Sequence, residues 1–211
     1  MWSRTSHRPK PKNEIAMKSP ARLSLPKVEE NTPDEKARNL LQQARQKLGM
    51  VPNMYANMAN LPALLESYAF AYERFRQEGG FDPAEQEVIF LTISRENQCH
   101  YCVAAHSFLA DNFSGVPKET LQAIREGKPV KDARLGALHR FVQGMVRQRG
   151  WVSQEEVDAF LEAGFTEKHI LGIVLAIAVK TISNYSNHLF QTPVEAPFDA
   201  YAWNPQAATT T

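Results

Sequence analysis

Apolar residues recur along this chain at steps of three and four, the period of a helix with one buried face, and nowhere settle into the two-residue alternation of a strand. Thr32-Pro33 followed by Asp34 and Glu35 predicts a helix start, with a capping hydroxyl and acids near the positive end, running to about Leu48 and stopped by Gly49. Val51-Pro52-Asn53 opens a short helix holding Met54, Tyr55 and Met58. From Pro62 to about Gln77, Leu64, Leu65, Tyr68, Tyr72 and Phe75 share helical spacing, until Gly79-Gly80 ends the run. Asp82-Pro83-Ala84-Glu85 has the form of a capping box, followed by the apolar run Val88, Ile89, Phe90, Leu91, Ile93. Arg95 to Gln98 is a polar break, and a further helix is predicted from about Cys99 to Asn112. Helices then follow from Pro117 to Glu126, Asp132 to Arg149, Ser153 to Gly164 and Thr166 to about Leu189. In the Asp132 helix, Leu135, Leu138, Phe141, Val142, Met145 and Val146 form the apolar stripe, and His139 with the neighbouring arginines reads as a solvated face. The chain is therefore expected to be all-α, a single-domain helical bundle.

Residues 1–30 break from this pattern. Up to Val28 they carry seven Lys or Arg against one acid, with four prolines and no apolar period, so a flexible or extended basic arm is expected. It reads as a tail, or as an upstream extension of a chain starting at Met17, in preference to an organelle-targeting peptide. Residues 31–205 make up the helical domain, and 206–211 a disordered tail. A formal net charge of +1 over 211 residues offers no electrostatic case for nucleic acid or an anionic membrane. Ile170 to Val179, the longest apolar run, falls short of the roughly twenty residues that span a bilayer and reads as a buried core helix. The first thirty residues lack the apolar centre of a signal peptide, and two cysteines do not make a secreted disulfide framework, so a cytoplasmic location is expected. A shift of 82 residues lays His169 over Glu87, Asn184 over Cys102 and His188 over His106. That echo fits either an old duplication whose second copy lost its thiols or two buried helices of like period.

The chemistry converges on Glu87 to His106, EVIFLTISRENQCHYCVAAH. Cys99, Cys102 and His106 fall on one helical face, and thiols three residues apart can close into a disulfide with little backbone movement. Thiols in a first helical turn also gain from its unpaired N–H groups, which favour a thiolate. His106 can take the thiol proton, and Glu87, if the two helices pack, can orient the imidazole and pass protons on. The second cysteine would trap an oxidised sulfur as a disulfide before it over-oxidises. A zinc site is disfavoured, since only three ligands gather here and no second CxxC exists. A thioredoxin-type site would need a strand before the CxxC. Which thiol reacts first stays open: the helix start favours Cys99, proximity to His106 favours Cys102.

Cys99-His100-Tyr101-Cys102-Val103-Ala104-Ala105-His106, with Glu87 twelve residues ahead, resembles the signature of the alkyl hydroperoxidase D-like, peroxidase-related branch of the carboxymuconolactone decarboxylase family. The lead-in GGFDPAEQEVIFLTISREN and the segment NYSNHLFQTPVEAPFDAYAW extend the resemblance over about residues 30–205. The resemblance implies an all-helical homo-oligomer, trimer or hexamer, with no cofactor and no metal. It implies a peroxidatic Cys102, a resolving Cys99, and a proton relay of Glu87 and His106. The activity it implies is thiol-dependent reduction of alkyl hydroperoxides or hydrogen peroxide, with a protein or lipoyl dithiol as reductant and no nucleic-acid or membrane partner. Tyr101 departs from the family's best-known peroxidase, which has His there; a phenol with a pKa of about 10 is a poorer shuttle near neutrality. The rivals are a lactone decarboxylase-type acid–base enzyme using His106 and Glu87, and an oligomeric disulfide reductase or redox sensor without peroxide turnover.

Overall fold

The computed structural model describes residues 20–204. Among them lie nine α-helices, a closing 3-10 helix and no strand. They are α1 (Glu35–Leu48), α2 (Asn53–Met58), α3 (Pro62–Glu78), α4 (Pro83–Glu96), α5 (His100–Asn112), α6 (Lys118–Glu126), α7 (Ala133–Arg147), α8 (Gln154–Glu162) and α9 (Glu167–Phe190), then a 3-10 helix at Ala196–Tyr201. The predicted starts hold with one shift: α1 is capped by Asp34, whose carboxylate takes the Ala37 N–H at 2.9 Å, rather than by Thr32. At α4 the expected capping box is complete, with Asp82 Oδ1 accepting from Glu85 N–H and Glu85 Oε2 from Asp82 N–H.

Helix α4 is the hub, packed against α5, α6, α7 and α9. Every residue from Glu85 to Ser94 is buried, which is why its apolar positions run together instead of forming a stripe. Helix α9 crosses α3 and α4 at close range. A Cβ on Gly172 would sit 2.7 Å from the Gly79 carbonyl oxygen, so only glycine lets α9 approach the α3–α4 turn this closely. Beside it His169 accepts the Thr166 N–H at Nδ1, leaving Nε2–H to donate to the Gly80 carbonyl at 3.1 Å. This contact fixes the register of α9, and three turns further on Lys180 enters the protein interior.

The first 19 residues of the expected basic arm lie outside the described residues, as does the 206–211 tail. From Pro20 to Glu30 the chain runs without helix and is tied to the bundle, with Leu23 N–H on Leu189 O at 2.9 Å and Val28 N–H on Ala56 O at 3.0 Å. Helix α9 runs unbroken through the stretch that an 82-residue shift would lay over the α4–α5 break, so the local structure does not repeat there.

Two readings of side-chain environment are corrected. Helix α9 is not buried all round: it exposes Leu171 (70%), Val174 (49%), Tyr185 (56%) and Leu189 (45%) along its outer face. By length and composition alone its 24 residues are enough to cross a membrane, but its inner face carries Lys180, Asn184 and Asn187 packed into the bundle. His139 is buried rather than solvated, because position 139 shares its face with Leu135 and Val142 and faces α4. Its Nδ1 lies 2.8 Å from Thr92 Oγ1. That hydroxyl spends its proton on Val88 O, so Nδ1–H is the donor.

Burial drives the His139 imidazole down to about 4. Between there and an unfolded value near 6.5 the unfolded chain binds the proton and the folded one does not, so stability is lost as pH falls through that window. The loss amounts to about 3 kcal/mol. His139→Asn should flatten this part of the Tm-versus-pH curve while leaving the neutral limb within about 1 kcal/mol of wild type.

Candidate active site

The chain reverses between α4 and α5 through Gln98, held at φ 56°, and re-enters helix with Cys99 as the N-terminal flanking residue of α5. Cys99 N–H returns to Ser94 O at 2.9 Å. The cysteines thus stand at the start of α5 as expected, Cys102 in its first turn. Both are free thiols and both are buried. Only Cys102 reaches a cavity of about 400 Å³, whose walls include Tyr55, Tyr68, Tyr72, Tyr101, Phe108 and Phe198, with His106 and Lys180 beside the sulfur. The helix start that favours Cys99 gives it no access to this cavity: Cys99 is fully covered, behind Cys102.

Glu87 and His106 come together. His106 Nδ1 lies 2.8 Å from Glu87 Oε2, both side chains buried. The other carboxylate oxygen pairs with Arg76 from the last turn of α3. Arg76 also donates to Tyr72 Oη at 2.6 Å and Gln86 Oε1 at 3.0 Å, and its guanidinium lies over the Tyr72 and Phe90 rings. With Nδ1–H given to Glu87, His106 Nε2 is left as an acceptor, and Lys180 Nζ donates to it at 2.8 Å. Arg76, Glu87, His106 and Lys180 therefore form one continuous buried chain that ends at the cavity. Asn187, one helical repeat further along α9, donates from Nδ2 to Cys102 Sγ at 3.2 Å.

The charges of the chain set the state of each group. Burial raises the Glu87 carboxyl, but His106 and Arg76 outweigh it and hold the group below its ordinary range. Burial, reinforced by the Lys180 charge, lowers His106, so the imidazole is neutral around pH 7. Cys99 is pushed well up, first by burial and then by donating its thiol hydrogen bond to Cys102. Burial also opposes ionisation of Cys102. There the Cys99 hydrogen bond, the Lys180 charge, the neighbouring His106 imidazole and the Asn187 amide prevail, and the thiol falls well below its ordinary value. The two thiols are thereby split into an anion facing the cavity and a proton-bearing partner behind it.

Tyr101 does not face its shuttle position freely. Its hydroxyl donates to Glu195 Oε1 at 2.9 Å, and burial together with that carboxylate raises it, so it stays a phenol. Glu195 also accepts the Asn53 N–H, and so ties down the segment that follows α9. That strap closes one side of the cavity with Pro197 and Phe198. Arg125 holds its far end through Tyr201 O and Ala202 O, both at 3.1 Å, and Trp203 Nε1 donates back to Arg125 O at 3.0 Å.

Fold and site define a class: an all-helical bundle whose central helix hairpin presents a polarised dithiol to an apolar cavity. The carboxymuconolactone decarboxylase family model matches residues 61–131. Over that stretch the chain is similar to the family, and its fold is the alkyl hydroperoxidase D-like one. A peroxidase-related alkylhydroperoxidase core protein from Ralstonia eutropha JMP134 superposes with a TM-score of 0.72 at 22% identity, over 82% of this chain and 93% of that one. A peroxidase-related protein from Silicibacter sp. TM1040 gives 0.69 at 24% identity, over 88% and 97%. The debrominase Bmp8 gives 0.67 at 17% identity, over 88% and 96%. No curated protein matches the chain.

Arg76, Lys180 and Asn187 were missed by sequence reasoning. Arg76 and Asn187 carry no signal of their own. Lys180 does: it is a single charge set in the apolar stretch from Ile170 to Ile182, where a lysine has to find a buried partner.

Proposed function

We propose that this protein is a thiol-dependent peroxidase that reduces organic hydroperoxides and hydrogen peroxide in antioxidant defence. The observation that carries this reading is the polarised pair: Cys102, held low, on the cavity wall, with the proton-bearing Cys99 behind it. In the proposed cycle the Cys102 thiolate attacks the terminal peroxide oxygen, the O–O bond breaks, and an alcohol leaves once protonated. The Cys102 sulfenic acid then meets the Cys99 thiol, releasing water and forming the disulfide. An external protein or lipoyl dithiol reduces it again. Glu87 and His106, which the resemblance implies as a proton relay, form the buried hydrogen-bonded pair at the cavity that holds Cys102. Apolar walls and a volume well above that of hydrogen peroxide favour the organic substrates. The exposed apolar face of α9 supports a homo-oligomer, and location in the cytoplasm suits a chain that depends on free thiols.

The aromatic cavity also favours a second reading in which the same dithiol removes a halogen from an aromatic ring. A cysteine-to-alanine variant of Bmp8 is known in complex with 2,3,4-tribromopyrrole, at a TM-score of 0.68 and 16% identity to this chain. The two readings separate in one experiment. Reduced Cys99→Ser is mixed with cumene hydroperoxide or 2,3,4-tribromopyrrole in the presence of a sulfenic-acid trap, and each thiol is read by mass spectrometry. The peroxidase reading expects trapped sulfenic acid on Cys102 with the hydroperoxide alone. Bromide release without peroxide reaction would replace it, and the absence of both trapped sulfenic acid and bromide would remove both.

A further inference from the structure

Within that proposed reaction, we infer that Lys180 is the catalytic acid: its ammonium pairs with the Cys102 thiolate at rest and delivers the proton to the departing oxygen of the substrate. The geometry assigns this role by exclusion as well as by position. Both nitrogens of His106 are committed, Nδ1 to Glu87 and Nε2 to Lys180, so the imidazole has no free hydrogen to give a substrate in the cavity. Lys180 is 1% exposed, lies on the cavity wall with Cys102, and has three hydrogens, of which His106 takes one. Its Nζ lies over the face of Phe90, 5.4 Å from the ring centre, which leaves the cavity side as the direction for another. Arg76, the other cation of the chain, sits at the far end behind Glu87. With His106 neutral, Lys180 is the full positive charge that acts on Cys102 from the same cavity wall.

The proton balance of the cycle closes on this pair. Cys102 thiolate attacks the hydroperoxide, the S–O bond forms as the O–O bond breaks, and the alkoxide takes a proton from the Lys180 ammonium to leave as alcohol. Lys180 is then a neutral amine. The Cys99 thiol attacks the sulfenic sulfur, and its proton leaves with the hydroxide as water. An external dithiol reduces the disulfide to two thiols and is itself oxidised. The Cys102 thiol then passes its proton to the Lys180 amine, which restores the ion pair without drawing a proton from bulk water. Glu87 and His106, on this account, act as positioning residues: they hold an acceptor against Nζ and fix the direction of its remaining hydrogens.

The test uses the full-length protein, with Lys180→Met removing charge and acid and Lys180→Arg keeping a charge that does not give up its proton. The first readout, alkylation of Cys102 by iodoacetamide across pH in a Cys99→Ser background, needs no peroxide activity. The groups that face Cys102 in that profile are His106 and Tyr101 on α5, Tyr68 on α3 and His188 on α9, with Glu87 on α4 acting through His106, and all are unchanged. Lys180→Met should move the thiolate midpoint up by at least one pH unit and slow alkylation near neutrality by about tenfold, and Lys180→Arg should restore it. The second readout is the rate of oxidation by hydroperoxides and peracids whose leaving groups span a range of pKa. Wild type should depend weakly on the leaving group. Lys180→Arg should depend on it steeply, losing about 10²-fold on alkyl hydroperoxides and little on peracids. An unshifted Lys180→Met alkylation profile overturns the ion pair, whatever the peroxide result. Equal leaving-group dependence in wild type and Lys180→Arg overturns the acid. If wild type oxidises with none of these substrates, the peroxidase reading falls, while a shifted alkylation profile still upholds the pairing of Lys180 with Cys102.

Discussion

Cys102→Ser is expected to consume cumene hydroperoxide no faster than free thiol in solution, a loss on the order of 10³-fold or more. The expectation rests on the split between the two cysteines. Cys99 survives in this variant, but it is fully buried behind position 102 and its thiol is held protonated by burial. It has neither the ionisation nor the access to take over. Serine is close in volume to cysteine and can still accept from Asn187, so the fold should persist and the loss should be chemical. Stopped-flow peroxide consumption measures it, with thermal unfolding as the control for structure. Substantial residual turnover in Cys102→Ser, removed by a second Cys99→Ser change, would reverse the two roles.

Glu87→Gln is expected to cost about 3–5 kcal/mol of stability, the usual effect of breaking a buried charge pair by neutralising one partner. Here one carboxylate serves two partners, the buried His106 and the half-buried Arg76. A glutamine amide can also reverse the imidazole: donating to Nδ1 leaves the ring hydrogen on Nε2, pointed at the Lys180 ammonium. The buried chain then carries two donors against each other where it had a donor and an acceptor. For a domain of this size the drop corresponds to a fall in Tm of about 10 °C. The pH dependence follows the same logic. Glu87 is held below its ordinary range in the folded state, so its contribution is complete above the unfolded value near 4.5 and is lost as pH falls through the folded one. Glu87→Gln should therefore show a shallower acid limb than wild type. A Tm within 2 °C of wild type, by calorimetry at pH 7, would show that the carboxylate is not the keystone of this chain of charges.

The legible part of the site was the part carried on one helix. Cys99, Cys102 and His106 could be placed together because helical spacing relates residues within an element without reference to anything else. Glu87 was legible for a different reason: a carboxylate leading directly into an apolar run needs a buried partner, and the next helix offered one. The order of reaction of the cysteines was not legible from spacing, since exposure at a helix start depends on what covers it, and the packed fold leaves Cys99 fully buried. His139 failed in the same way. Its position beside the α7 stripe was visible, but a histidine there reads as solvated until a specific acceptor, Thr92, is known to meet it.

By itself, the sequence determined the local geometry: where each helix begins and ends, and which thiols and imidazole share a face. These follow from capping, periodicity and the backbone, all of short range. The tertiary structure alone decided that α3 brings Arg76 behind Glu87 and that α9 brings Lys180 and Asn187 to His106 and Cys102. Lys180 and His106 are 74 residues apart, and their contact depends on the close approach that Gly172 permits at the α3–α4 turn. Charge acts through space, so the ionisation of a buried thiol is set by whichever helices pack around it, and periodicity along the chain carries no record of that.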